Sequence, residues 1–370
     1  MSHKPDPRQA IGRRIADLDT PALLVDLDAF EYNLATMAAF FRGRPSHLRP
    51  HAKTHKCPEI ARRQLAAGAE GITCAKVGEA EVLAQAGIDD ILIANQVVGP
   101  LKIARLVELA ARVRLTVAVD EPGNVADLSR AAQARGVTLR VLVEVDIGMG
   151  RCGVQPGAEA LDLARQVARA GRLELAGLMG YEGHLVGIQD PAERKVKVEA
   201  AMTLLMETQA LLARSGLPAG VVSGGGTGTY DVTGSFPGVT EVQAGSYVFM
   251  DTHYRAVRPE FRTSLALLAT VISRNKPARL ITDAGMKVLT TDMGLPEVQG
   301  VPGAKLLRLS EEHGLIEVAD PGQVPLGSGD KITLLPSHCC TTINLHDTLF
   351  AVRNGVVEDV WPIAGRGRSQ

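Results

Sequence analysis

Apolar residues recur along this chain in short runs separated by polar, helix-patterned stretches. The runs are "HLRPHAK" (47–53), "GITCAK" (71–76), "DILIANQ" (90–96), "RLTVAVD" (114–120), "LRVLVEVDIG" (139–148), "LAGLMGYEGH" (175–184), "AGVVSGGG" (219–226) and "VTEVQAGS" (239–246). Apolar positions three and four apart mark amphipathic helices between most of them, as in "EVLAQAG", "LKIARLVELAARV" and "VADLSRAAQARG". Eight strand candidates with helix-sized intervals predict βαβ units. The fold class is therefore α/β, a (β/α)8 barrel, with an open doubly wound sheet as the alternative. Ahead of the first run, "TPALLVDLDAF" predicts a strand that feeds the helix "EYNLATMAAFFRG".

Past residue 260 the pattern changes. "SLALLATVISRN", "ARLITDAG", "LIEVAD", "DKITLLPSH" and "TLFAVRNGVVEDVWPIAG" are β-branched runs with turn residues between them, and Asn354-Gly355 is a hairpin signal. Three regions follow: a polar tail over 1–18, the barrel with its preceding strand and helix over 19–260, and a mostly β domain over 261–370.

Composition narrows the function classes. The chain has 370 residues, is 45% hydrophobic and 22% charged, and carries a net charge of −1. Such a balance gives no general field for nucleic acid or another polyanion. No run of 18 apolar residues exists and residues 1–18 hold no apolar signal core, so neither a membrane span nor a secretory leader is expected. Five cysteines without a disulfide framework suit a reducing cytoplasm.

The candidate chemistry lies where the predicted barrel strands end, which is where barrel enzymes gather their catalytic groups. Lys53 ends the first strand and Lys76 the second; Asp146 and Arg151 follow the fifth; Tyr181 and His184 close the sixth. "SGGGTGT" (223–229) follows the seventh and "AGS" (244–246) ends the eighth. Glycine-rich loops after strands seven and eight let backbone N–H groups approach a phosphate. The stretch "RPHAKTHK" (49–56) crowds five basic groups at one strand end. It is either a solvated turn or a catalytic lysine, Lys53, whose pKa is lowered by Arg49, His51 and His55. A strand-end lysine opposite a phosphate loop points to pyridoxal 5'-phosphate, held covalently by the lysine, with the pyridine ring as electron sink. In the β domain, "SHCC" sets His338 and Cys340 two apart. On a strand that spacing puts both on one face, half of a divalent metal site; a buried thiol beside a structural histidine is the plain alternative. Cys339 would then face the other way and pack.

These pieces, in this order, resemble the fold-type III pyridoxal-phosphate enzymes, the group of the alanine racemases, and within it the D-threonine aldolase and D-serine dehydratase family. The resemblance rests on "RPHAKTHKCPEIA", "DIGMGRCGV", "SGGGTG", "VQAGSYVFMD", "EEHG", and "PSHCC" followed by "NLHD", and covers nearly the whole chain after residue 18. It implies that Lys53 carries the cofactor, that Arg151 faces its phenolic oxygen, and that Tyr181 packs on its ring. Gly226, Thr227, Gly245 and Ser246 would then serve its phosphate. Gln243 stands where alanine racemases set an arginine against the pyridine nitrogen, implying a neutral pyridine and a weaker electron sink. The resemblance also implies that His338 and Cys340 bind zinc or manganese. Cysteine at 340 departs from the aspartate usual in the aldolases, matches the dehydratases, and favours zinc.

The implied activity is retro-aldol cleavage of D-3-hydroxy amino acids to glycine and an aldehyde. The alternative is a dehydratase of D-serine or D-threo-3-hydroxyaspartate that releases an oxo acid and ammonia, and a non-catalytic cofactor-binding barrel is a third class. His184 is the expected base for the β-hydroxyl proton, with His313 of "EEHG" as its rival; the aldolases carry that histidine slightly later, where this chain has Gly187. A homodimer in the cytoplasm is the implied assembly.

Overall fold

The structure, a computed structural model, describes residues 6–217 and 219–370. It divides into two compact units. The barrel unit holds residues 36–53, 58–245 and 367–370; the β unit holds the described residues up to Ala35, with 54–57 and 246–366.

In the barrel unit all eight predicted strands form, at His47–Leu48, Ile72–Cys74, Asp90–Gln96, Arg114–Val119, Leu139–Glu144, Leu173–Gly180, Val221–Gly224 and Glu241–Val242. Every neighbouring pair is parallel, in the order first, eighth, seventh, and so down to the second. A parallel bridge between His51 and Thr73 joins the first strand to the second and closes the ring. The open-sheet alternative is thereby set aside. The crossover helices Pro58–Ala66, Pro100–Ala110, Pro122–Arg135 and Pro191–Arg214 each begin on a proline. There its missing N–H costs nothing and its fixed φ suits the first turn. The last crossover has only the one-turn helix Tyr230–Thr233.

The closing seam uses the shortest strands, and a buried cation reinforces it. Arg49 Nε donates to Glu241 Oε1 on the eighth strand at 2.8 Å, and Nη1 to Asp90 Oδ1 on the third at 2.8 Å. Its guanidinium is almost fully buried. Gly71 is required beside it: a Cβ there would lie 2.0 Å from Nη1.

The β unit is a nine-stranded, mostly antiparallel sheet. Asn354 and Gly355, at φ 50° and 75°, turn Thr348–Arg353 into Val356–Pro362, as the Asn-Gly pair predicts. Two elements differ from the sequence reading. The strand Ala22–Asp26 belongs to this sheet, antiparallel to Leu265–Lys276 and parallel to Thr348–Arg353. An apolar run followed by a helix carries no mark of which sheet will pair with it. The predicted tail is also docked where it is described; residues 1–5 lie outside the described residues. Gly12 and Ile15 N–H donate to Val357 and Gly355 carbonyls, Val357 N–H returns to Arg13 O, and Leu18 is buried with Ala22, Leu24 and Leu268. Among the described residues no helix is long and apolar enough to cross a membrane.

The seam gives a test of the barrel. Arg49→Met would leave Glu241 buried without its cation, at a cost of about 3–5 kcal/mol. The denaturation midpoint should fall accordingly, and Arg49→Met with Glu241→Gln should regain part of the loss. A change below about 1 kcal/mol would show that ring closure does not rest on this ion pair.

Candidate active site

Two of the predicted residues, Lys53 and Arg151, converge on the ring of a third, Tyr181. Lys53 sits in the single turn Ala52–Thr54 after the first strand, with its Nζ 5.9 Å from the Tyr181 ring centroid. Arg151 Cζ lies 5.4 Å from the same centroid. Tyr181 follows directly on the sixth strand, and Arg151 is presented by a loop fixed by two carboxylates. Asp146 Oδ1 accepts the N–H groups of Gly148 and Gly150 at 3.0 Å each, and Asp120 Oδ2 accepts that of Gly153 at 2.9 Å. Asp146 is therefore a loop brace. Behind that loop, Gln96 Nε2 donates to Glu144 Oε2 at 2.5 Å. Burial pushes the Glu144 carboxyl above its ordinary pKa, against the Gln96 hydrogen bond and the Arg151 charge.

The other basic groups around Lys53 each make contacts within the chain. Arg49 is matched by two carboxylates in the seam. His51 Nδ1 accepts the Lys53 N–H at 3.4 Å, and His55 Nδ1 accepts the Cys57 N–H at 3.1 Å. Lys56 takes φ 50° and its carbonyl accepts the Gly365 N–H. Lys76 caps the helix Val77–Gln85, where Glu79 holds its backbone N–H.

The glycine-rich loop is buried throughout residues 222–230. Its brace is Glu182, fully buried, which sequence reasoning missed. Glu182 Oε1 accepts from the Thr229 and Thr233 hydroxyls at 2.6 and 2.5 Å, and Oε2 from Gly225 N–H at 3.2 Å. Gly226 N–H donates to Thr229 Oγ1 at 3.2 Å. Gly226 lies against the Tyr181 ring, where an added Cβ would come within 3.3 Å. The N–H groups of Gly228 and Gly245, both buried, have no hydrogen-bond acceptor among the described residues. Buried donors without partners are rare, and here they fit an anionic ligand such as the phosphate of a cofactor. Gln243 Nε2 donates to Ser223 Oγ at 2.9 Å, which fixes its amide. A charged residue in the apolar setting of "LMGYEGH" was the available signal for Glu182.

His184 is exposed in the loop after the sixth strand, beside the fifth-strand loop: a side chain at Gly148 would meet its ring at 3.3 Å. His313 is exposed in the β unit, in the turn before Gly314–Val318.

The metal pair also lies in the β unit, but not on a strand. Lys331–Leu335 ends before it, His338 caps the short helix Cys339–Ile343, and Cys340 is in that helix's first turn. The one-face argument from strand spacing is thus corrected. Pro336 cannot donate in a ladder, and the chain turns into a helix instead. The two side chains still interact. Burial works against a charged His338, but the Cys340 sulfur and Asp292 outweigh it and raise its pKa to about 9. Cys340 is held well below an ordinary thiol by Cys339, against burial and helped by His338 and Thr54, while Cys339 is pushed up by the Cys340 sulfur and by burial. His338 Nδ1 is 2.5 Å from Asp292 Oδ2, and Thr341 Oγ1 donates to Asp292 Oδ1 at 3.0 Å. A carboxylate on the remote ring nitrogen is how metal-binding imidazoles are usually oriented. Among the described residues no third His, Cys, Asp or Glu completes a cluster. The donors fit half a coordination shell. Ser246, expected at the phosphate, has its hydroxyl 3.6 Å from Cys340 Sγ, and Thr54 Oγ1 is 3.3 Å from the same sulfur.

Comparison with known proteins agrees with both units. The family "Alanine racemase, N-terminal domain" matches residues 25–253, and a serine dehydratase domain family matches 264–352. The chain is 44% identical to a D-threonine aldolase of Arthrobacter sp over 99% of its length and 97% of that protein's. It is 38% identical to a 3-hydroxy-D-aspartate aldolase of Paracoccus denitrificans (strain Pd 1222), over 95% and 93%. Among solved structures it resembles that of D-threonine aldolase from Filomicrobium marinum, with TM-score 0.94, 44% identity, and 96% and 98% of the two chains covered. The chain belongs to the alanine racemase-like, fold-type III family of pyridoxal-phosphate enzymes.

Proposed function

We propose that this protein is a lyase of the D-threonine aldolase type that cleaves D-3-hydroxy amino acids to glycine and an aldehyde. One observation carries the reading: the likeness to aldolases runs the full length of the chain, through both units.

Pyridoxal 5'-phosphate, when bound, supplies the electron sink for breaking the Cα–Cβ bond. Lys53 would hold it, Tyr181 would lie against its ring, and Arg151 would face its phenolic oxygen. Thr227, Gly245 and Ser246 would serve the phosphate, with Gly226, whose own N–H goes to Thr229, letting the backbone approach it; the N–H groups of Gly228 and Gly245, without acceptors among the described residues, support this. Gln243, fixed by Ser223, would donate to the pyridine nitrogen and leave it unprotonated. His184 would take the proton from the substrate's β-hydroxyl; its exposed place on the sixth-strand loop supports this role. His338 and Cys340 would hold one divalent ion, zinc before manganese given the sulfur donor, which would supply Lewis acidity.

A dehydratase is the second reading. The serine dehydratase domain match covers the segment with His338 and Cys340, and in it Lys53 would remove the α-proton. The partner in either case is a small-molecule D-3-hydroxy amino acid. A homodimer goes with the family, which sedimentation would check. Free thiols at all five cysteines suit the cytoplasm, and localisation of a tagged chain tests it.

With D-threonine, the aldolase should release glycine and acetaldehyde in equal amounts. Release of 2-oxobutanoate and ammonia instead would make it a dehydratase. Chelation should stop turnover and leave the cofactor's visible band, with zinc or manganese restoring activity; full activity without metal would remove the ion from the reaction.

His184→Gln should lower turnover roughly 10²- to 10⁴-fold with the visible band unchanged. Normal turnover in that variant, with loss in His313→Gln, would transfer the proton to His313.

A further inference from the structure

Glu182 sits one residue past Tyr181, and nothing in the proposed reaction uses it. A fully buried carboxyl is costly unless donors meet it. Here three do, and all three belong to the segment Gly225–Thr233. The conformation of that segment is consequently written by one side chain on another strand's loop. Gly225 adopts φ 74°, a left-handed turn that glycine enters without strain, and its N–H goes to Glu182 Oε2. Thr229 Oγ1 passes the constraint on, since it donates to Glu182 and accepts from Gly226 N–H. The N–H groups of Gly225 and Gly226 are thus consumed within the protein. That of Gly228, in the same loop, is buried and has no acceptor among the described residues.

We infer that Glu182 is a positioning residue for phosphate: by holding Gly225, Thr229 and Thr233, it sets the loop so that Gly228 N–H is kept for the cofactor's phosphate. The inference rests on the cofactor reading above. Glu182 touches no reacting atom, and its effect reaches the ligand through the loop. It follows that Glu182 matters for ligands that carry a phosphate and not for the same ring without one.

The test compares binding of pyridoxal 5'-phosphate with binding of pyridoxal, read from the visible band of the cofactor-free full-length chain on titration. In Glu182→Ala and Thr229→Val, the dissociation constant for pyridoxal 5'-phosphate should rise about 10- to 100-fold, the loss expected when buried polar groups lose their partners. The constant for pyridoxal should stay within about twofold. Glu182→Gln, which keeps one acceptor oxygen, should fall between wild type and Glu182→Ala. Equal affinity of wild type and variants for pyridoxal 5'-phosphate would overturn the inference. So would a parallel loss for both ligands, which would mark a general structural role. Should the wild-type chain give no visible band with pyridoxal 5'-phosphate, the cofactor reading itself fails, a result separable from either.

Discussion

The barrel closes where its strands are shortest, and the rest of the proposed site depends on that closure. The eighth, first and second strands run only two, two and three residues, so few ladder hydrogen bonds hold them. The missing cohesion comes from Arg49, whose guanidinium joins Glu241 and Asp90 in a nearly dry setting, and from the bridge of His51 to Thr73. A buried ion pair contributes little net stability against apolar packing, but breaking it is expensive, so it fixes one arrangement over its competitors. Lys53 comes four residues after Arg49 and two after His51. The direction in which it leaves the barrel is set by that seam.

The loops that carry the other candidate groups are made rigid by a repeated device. A carboxylate accepts two or three N–H or O–H donors from a single segment: Asp146 for Gly148 and Gly150, and Glu182 for Gly225, Thr229 and Thr233. Such braces hold neighbouring groups in place before a ligand arrives, which is where a binding site gains affinity and precision. They also explain why glycine is frequent there. The backbone must approach the carboxylate closely, and Gly225 must turn left-handed to do so.

Much of this was legible in the sequence. Apolar runs separated by helical periodicity located all eight barrel strands, because parallel strands buried on both faces leave continuous hydrophobic stretches. The Asn354-Gly355 turn was equally direct. Pairing partners were not legible, since Ala22–Asp26 reads as a strand in either unit and only its hydrogen bonds place it with Leu265–Lys276. The "SHCC" segment failed for a related reason: period-two spacing fits a strand, but Pro336 ends the ladder and a helix begins. In "RPHAKTHK" the sequence offered five basic groups without showing that one of them, Arg49, has carboxylate partners far along the chain. Arg49 read there as an influence on Lys53, and its place as the seam's staple shows only in the positions of Asp90 and Glu241. Glu182 was passed over because three of its donors come from a loop more than forty residues away.

The central claim is that the basic cluster divides its labour, with Arg49 stapling the seam and Lys53 alone carrying the cofactor. Borohydride reduction of the holoenzyme, followed by digestion and peptide mass mapping, tests this directly, because reduction makes the lysine–cofactor link permanent. The account predicts a single pyridoxyl phosphate adduct, on Lys53. An adduct on Lys56 or Lys76, with Lys53 unmodified, would contradict it.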